Sequence, residues 1–307
     1  MTKVIGIVGP TAVGKTALSI QLAQRLNGEI ISGDSMQVYR KLDIGTAKIT
    51  PDEMQGVVHH LINILDINER FSVADFQSLA NQNITEIAAK NKLPIIVGGT
   101  GFYVQAVTEN LSLGMDHFDE KSYQIRQKWH HIATQQGKQY VWDQLHELDP
   151  MAAQKIPVQN VRRVIRALEV IEKTGQLFSN QPEQQSTNDF YLIGLNTDRQ
   201  VLYKRINKRV DQMVQEGLIE EARWLYDHDG IDYQAGKGIG YRELFPYFAG
   251  QISLQRATDE VKLDSRHYAK RQLTWFRNKM NVHWYDLVSG RNSISEIEQD
   301  VREWLNK

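Results

Sequence analysis

Residues 9–16 read GPTAVGKT, the complete spacing G-x-x-x-x-G-K-T. Residues of these types at this spacing hold phosphate. The two glycines let backbone N–H groups wrap an anion at a helix N-terminus, where the helix dipole also favours negative charge. Lys15 adds a point charge for an outer phosphate, and the Thr16 hydroxyl is suited to ligate Mg²⁺. Gly9, Thr11, Ala12, Val13, Gly14, Lys15 and Thr16 are therefore the candidate ligands of a di- or triphosphate. The motif also has the context it requires. The apolar run 4–8 reads as a buried strand, and Leu18, Leu22 and Leu26 recur every four residues along the helix that should follow. The bland alternative, a glycine-bearing turn with an incidental lysine, leaves that context unexplained.

Further candidates lie where later strands should end. Asp34 closes a second apolar run, 28–33, and its carboxylate suits either proton acceptance from a nucleophile or a water-mediated Mg²⁺ contact. A turn-capping aspartate is the competing reading. Gln37 carries a donor and an acceptor, the complement of a base edge such as adenine's, although glutamines more often face solvent. Thr100 sits between glycines after the run 93–97, where its hydroxyl serves either a phosphate, a reacting atom or a plain strand-to-helix turn. Basic residues cluster at 159–166, 199–210 and 262–279, the last interleaved with Tyr268, Trp275 and Phe276. Aromatics among cations suit nucleic-acid backbones and unstacked bases. Because the formal net charge is −1, a polyanion must be held by such local clusters and not by overall charge. Some of these arginines could equally close over phosphates. The pairs His59-His60 and His130-His131 are adjacent in sequence, so their side chains do not face one ligand; they read as ordinary.

The elements that must position these groups follow from periodicity. Alternating strands and helices run to about residue 112, the pattern of a parallel sheet. Short strands are expected at 28–33, 59–64 and 93–97, and a helix with Ser72 and Asp75 as a capping box carries Val73, Phe76, Ala80, Ile84 and Ile87 on one stripe. From 113 to 189 strand signals vanish. Polar helices are expected near 119–136, 139–148 and 159–174, the last closed by Gly175, followed by a polar loop at 179–189. Strand character returns at 190–195, and Asp198 caps a helix bearing Leu202, Ile206, Val210 and Met213. The expected division is a core of 1–112 and 190–307 with a helical insertion at 113–189. The chain has no cysteine, which excludes disulfides, thiol catalysis and thiolate zinc sites. Its first residues read as a core strand and not a cleavable signal, no stretch approaches a membrane span, and a cytoplasmic location fits.

Taken together, the stretches 9–16 (GPTAVGKT), 34–39 (DSMQVY), 43–48 (DIGTAK), 98–103 (GGTGFY), 159–163 (QNVRR), 238–243 (GIGYRE) and 270–277 (KRQLTWFR) closely resemble the tRNA dimethylallyltransferases. The first stretch is generic; the combination of DSMQVY, GGTGFY and KRQLTWFR is specific. The resemblance implies an α/β fold, a P-loop NTPase-like parallel sheet flanked by helices with an all-helical inserted domain. It implies transfer of a dimethylallyl group from dimethylallyl diphosphate to N6 of adenosine 37, in tRNAs reading codons that begin with U. The phosphate loop would then hold a diphosphate leaving group and not ATP, with Mg²⁺ as cofactor. By the same resemblance Asp34 matches the general base, Thr100 a hydroxyl near the reacting centre and Arg205 a diphosphate ligand. Ser35, Met36 and Gln37 share the Asp34 motif at the tRNA, Gln37 reading the adenine. Arg126, Gln159, Asn160, Val161, Arg162 and Arg163 fall where the inserted domain touches the anticodon stem-loop.

Lacking cysteine, the chain resembles the bacterial type, which ends in a helix without a zinc finger, and it is expected to be a monomer. Three alternatives remain. Adenylate isopentenyltransferases share the core but prenylate free nucleotides, and the insertion and basic C-terminal region speak for tRNA instead. A nucleotide-dependent kinase would turn over ATP with a small acceptor. An RNA-binding nucleotide switch would not need Asp34 as a base.

Overall fold

The computed structural model describes residues 1–113, 119–180 and 186–307. By contacts these form two compact units, Met1–Leu111 with Gln185–Lys307, and Ser112–Gln184.

The larger unit is built on a parallel sheet. Its strands are β1 (Thr2–Val8), β2 (Gly28–Ser32), β3 (His59–His60), β4 (Leu93–Gly98), β5 (Asn188–Leu195) and β6 (His283–Tyr285), in the order β3-β2-β4-β1-β5-β6. β1 is central, pairing with β4 through Ile5↔Ile95 to Val8↔Gly98 and with β5 through Thr2↔Asn188 to Val8↔Gly194. A strand covered on both faces must be apolar throughout, which is why 4–8 shows no alternation. Val4 and Val8 enter one core, Ile5 and Ile7 the other, all fully buried. Burying each such side chain stabilises the fold by about 1.5–3 kcal/mol.

One face is covered by α3 (Val73–Ala89), α4 (Gly101–Thr108) and α9 (Leu218–Asp227). The other is covered by α1 (Lys15–Arg25), α8 (Arg199–Glu216) and α12 (Ile294–Leu305). The long helix α11 (Leu254–Lys279) gives Ala257 and Phe276 to the first core and Ala269 to the second. The Ser72–Asp75 capping box forms in both directions, and Asp198 accepts from the amides of Gln200 and Val201. The expected strand over 59–64 is shorter than its apolar content suggested. Leu61 and Asn63 take left-handed φ values of 61° and 56°, which ends the ladder after His60. β5 begins at Asn188, two residues before the apolar run, because Asn188 and Asp189 still pair with the start of β1.

The smaller unit contains α5 (Glu120–Leu148), α6 (Pro150–Lys155) and α7 (Val161–Thr174). Gly137, at φ 88°, breaks α5 at the gap between the two helices expected there. Gly175, at φ 70°, terminates α7 as its position indicated. Trp129, Val141, Leu145, Ile156, Val164, Ile165 and Leu168 form its core. The helix α6 was missed by periodicity because six residues span less than two turns. Of the polar loop at 179–189, residues 181–185 lie outside the described residues.

Candidate active site

In a parallel sheet ligands sit beyond the carboxyl ends of the strands. The turns after β1, β2 and β4 all leave from that edge, since Val8 is opposite Gly98 and Ser32 opposite Val97. The three motif turns, each expected from sequence at the end of a strand, therefore converge as a parallel sheet requires.

The turn after β1 has Gly9 at φ 140°, Ala12 at φ 63° and Gly14 at φ 103°. Gly14 is the N-cap of α1, left-handed and without a side-chain cap, so no side chain satisfies the first-turn amides. α4 likewise starts at Thr100 without a side-chain cap, whereas α3, α8, α11 and α12 are capped by Ser72, Asp198, Ser253 and Ser293. An uncapped N-terminus beside a glycine-rich turn is an anion site in waiting. Lys15 Nζ donates to the carbonyls of Gly9 at 3.0 Å and Pro10 at 2.7 Å. Arg205 Nε donates to the carbonyl of Ala12 at 2.9 Å, which fixes its guanidinium at the loop from α8. Val13 is buried beneath the loop, and Thr16 is exposed on the first turn of α1. The Thr11 amide points elsewhere: it donates to Gln272 Oε1 at 3.0 Å, so this candidate phosphate ligand is already partnered.

Asp34 Oδ1 accepts from the Met36 amide at 2.8 Å, the turn bond of the bland reading. The same carboxyl has a second property. Burial raises its pKa above the ordinary value of 3.8, against the Met36 amide and the Lys15 charge, which favour the anion. Lys15 is lowered to about 7, first by burial and then by the Arg209 charge, with Asp34 opposing. Arg209 is itself lowered by burial, with Asp34 opposing. Asp34, Lys15 and Arg209 thus form one interacting cluster, in which each partly neutralises another. Arg209 was lost among five basic residues at 199–210; its spacing of four from Arg205, on one helix face, was the signal that could have found it.

The Ser35 amide donates to Thr100 Oγ1 at 3.3 Å, joining the turn after β2 to the turn after β4. Burial together with the Asp34 charge pushes the phenol of Tyr268, on α11, up to about 12. Gln37 is engaged within the chain. Its Oε1 accepts from Ser32 Oγ at 2.9 Å, and its Nε2 donates to the carbonyls of Thr46 and Ala47, each at 3.3 Å. The 43–48 loop that it grips is held from behind. Glu221 accepts the amides of Asp43, Ile44 and Gly45 at 2.7–2.9 Å and the Tyr241 hydroxyl at 2.7 Å. Lys48 Nζ binds Tyr39 O, Asp43 Oδ1 and Asn63 Oδ1. Glu221 escaped sequence reasoning, and Lys48 and Tyr241 entered it only as members of the stretches 43–48 and 238–243, because an acid, a phenol and a lysine on separate elements carry no spacing signal.

The basic clusters divide. In the smaller unit Arg126 Nε bonds Glu169 at 2.7 Å and Arg166 meets the same fully buried carboxylate at 2.9 Å. Asn160 caps α7, Val161 packs against the core, Gln159 accepts from Lys138, and Arg162 and Arg163 are exposed on the first turn. On α11, Lys262 pairs with Asp211 and Arg266 with Asn207, both tying it to α8. Lys270, Arg271, Trp275 and Lys279 instead line a groove of about 520 Å³ with His267, Thr274 and Asn278. His60 is engaged by Glu29 at 2.8 Å, and no three acidic or histidine side chains gather as a metal cage among the described residues. Among the described residues no helix is long and apolar enough to cross a membrane.

The family model described as IPP transferase matches residues 37–279. The tRNA dimethylallyltransferase of Limosilactobacillus fermentum is 65% identical over 307 residues, covering 100% of both chains, and that of Enterococcus faecalis is 52% identical over 308. Among solved structures, the full-length tRNA isopentenylpyrophosphate transferase of Bacillus halodurans superposes with a TM-score of 0.76 at 52% identity, over 100% of this chain and 97% of that one. A eukaryotic dimethylallyltransferase solved acting on tRNA gives 0.85 at 28% identity, over 100% of this chain and 80% of that one.

Proposed function

The chain belongs to the IPP transferase family, and on that premise we propose that it transfers a dimethylallyl group from dimethylallyl diphosphate to N6 of adenosine 37 in tRNA. The observation that carries this reading is the Ser35–Thr100 bond. It joins the two family-specific turns beside a phosphate loop whose lysine interacts with Asp34.

The exocyclic amine of adenine is a weak nucleophile, so both ends of the displacement need help. The diphosphate lies against the uncapped N-terminus of α1, where Lys15, Arg205 and Arg209 take up the charge that grows as the C1–O bond breaks. N6 attacks C1 as diphosphate departs, and the proton lost from N6 goes to the Asp34 carboxylate. Burial raises the proton affinity of Asp34, which suits it to accept at neutral pH. Thr100 orients the acceptor at the rim shared with Ser35 and Met36. The open acceptor position on Gln37 Oε1 suits an amino group such as N6, its Nε2 being held by Thr46 and Ala47.

Mg²⁺ fits without a protein cage. Beside a bound diphosphate it would need few protein ligands, and the exposed Thr16 hydroxyl would be one. When bound it would supply further charge neutralisation on the diphosphate. The target base must leave its stack to react. The exposed Arg162 and Arg163 are suited to phosphates of the anticodon stem-loop in tRNAs reading codons that begin with U. A cytoplasmic monomer completes the reading.

The test offers the protein Mg²⁺ and labelled dimethylallyl diphosphate, with unmodified tRNA or AMP as acceptor. Label in the anticodon loop with AMP inert is the expected result. Label on AMP indicates a free-nucleotide enzyme, and ATP consumption without labelling indicates a kinase or switch.

A further inference from the structure

Three residues of α11, Tyr268, Gln272 and Trp275, lie at i, i+4 and i+7, one stripe of a helix. The whole stripe meets the two glycine-rich turns. Gln272 is buried, its Oε1 accepting from the Thr11 amide at 3.0 Å and its Nε2 donating to the Gly99 carbonyl at 3.0 Å. Thr100 and Gln272 are polar neighbours of the Tyr268 phenol. Trp275 stands against Gly101 and meets the Phe102 ring edge-on at 5.9 Å. A Cβ at Gly99 would collide with the Gln272 amide, and one at Gly101 with the Trp275 ring. Both glycines are therefore required by the close approach of α11.

We infer that Gln272 is a positioning residue that splints the phosphate loop to the Thr100 turn, fixing the separation between the leaving group and the acceptor. An amide is the one side chain of this length that accepts on one atom and donates on the other. It therefore bridges an amide N–H and a carbonyl with no charge in the buried gap. Gln272 touches neither substrate in this arrangement; it acts through Thr11 and Gly99. The inference rests on the reading that the loop holds the diphosphate and that Thr100 serves the acceptor.

The test uses the full chain with Gln272→Leu and Gln272→Glu. Gln272→Leu keeps the volume and loses both bonds. It is expected to lower kcat by about 100-fold, the scale of a misplacement near 1 Å, while tRNA affinity holds. Gln272→Glu still accepts from Thr11 but can donate to Gly99 only when protonated. Its rate relative to the unsubstituted protein should therefore climb as pH falls. Tyr268, Asp34, Lys15 and Arg209 are present in both proteins, so the ratio removes the part of the pH profile that they share. A substrate-free readout stands beside these: amide exchange at Thr11 should be slow in the unsubstituted protein and quicken in Gln272→Leu. Unchanged kcat in Gln272→Leu overturns the inference, as does a pH-independent ratio for Gln272→Glu, which also decides the matter if Gln272→Leu does not fold. If the unsubstituted protein fails to label tRNA while Thr11 exchange still responds, the functional reading fails and the splint stands.

Discussion

Glu29 of the sheet unit and Glu169 of the helical unit are both buried, and the surroundings of the two differ instructively. Glu29, in the sheet unit, is met by Lys92 at 2.8 Å, His60 at 2.8 Å and Lys90 at 3.4 Å. Glu169, in the helical unit, is met by Arg126 and Arg166. Both carboxylates organise local structure and neither is at a motif turn. Around the motif turns the sheet unit does the opposite, setting Asp34 and the cations Lys15 and Arg209 where each is desolvated. In the helical unit Arg162 and Arg163 are exposed on the first turn of α7. On the proposed reading, chemistry is placed where backbone turns and burial shift proton affinities, and recognition where cations stay hydrated.

The contrast is broken most severely at Asp34. Asp34→Asn should retain tRNA affinity in a filter-binding assay while single-turnover transfer falls by about 10²–10⁴-fold. A variant with full turnover would remove Asp34 from the chemistry. Lys15→Met should lower kcat/KM for the diphosphate donor by about 10²–10³-fold. The same change should raise thermal stability in the free protein. The folded-state pKa of Lys15, about 7, lies below the ordinary 10.5, so its ionised form is penalised fully below pH 7, and the penalty fades as pH rises toward 10.5. The gain from Lys15→Met should accordingly be largest in melts below pH 7 and vanish near pH 10.5.

Smaller effects separate structure from recognition within the helical unit. Glu169→Gln should cost about 2 kcal/mol in denaturant unfolding, since it removes a charge-assisted bond to Arg126 and an ion pair with Arg166. Arg162→Ala with Arg163→Ala should leave stability alone, weaken tRNA binding and reduce the slope of log affinity against log salt by about 1 per arginine. Equal salt slopes in variant and unsubstituted protein would assign these two arginines to solvent. A pH-dependent effect is expected at Glu29. Burial raises its pKa, but Lys92, His60 and Lys90 outweigh that and hold it at about 2. Its contribution is therefore full above the ordinary value of 4.5 and lost as pH falls through about 2, and Glu29→Gln should flatten unfolding free energy across that window.

Much was legible along the chain because it depends on local spacing. The apolar run 4–8, the G-x-x-x-x-G-K-T turn, the Ser72 capping box and Gly175 each act over fewer than ten residues, where periodicity and turn chemistry are direct causes. The parallel sheet followed from alternation, and Asp34 and Thr100 followed from standing where strands end. The roles of Gln37, Arg126 and Thr11 were not legible in this way. Each carries hydrogen-bonding capacity that sequence shows as open, and the fold commits part of it to Ala47, Glu169 and Gln272, distant in the chain or on another element.

What the sequence by itself determined was the inventory: a phosphate loop, a carboxylate, a hydroxyl and excess cations, each on an element of identifiable type. What only the tertiary structure decided was which of them act together. Parallel register brought Val8, Ser32 and Gly98 to one sheet edge, and α11, remote in sequence, came to rest on both glycine-rich turns. The physical reason is that proton affinity and hydrogen-bond commitment depend on burial and on neighbours across space. Spacing along a chain determines those only within a single helix, strand or turn.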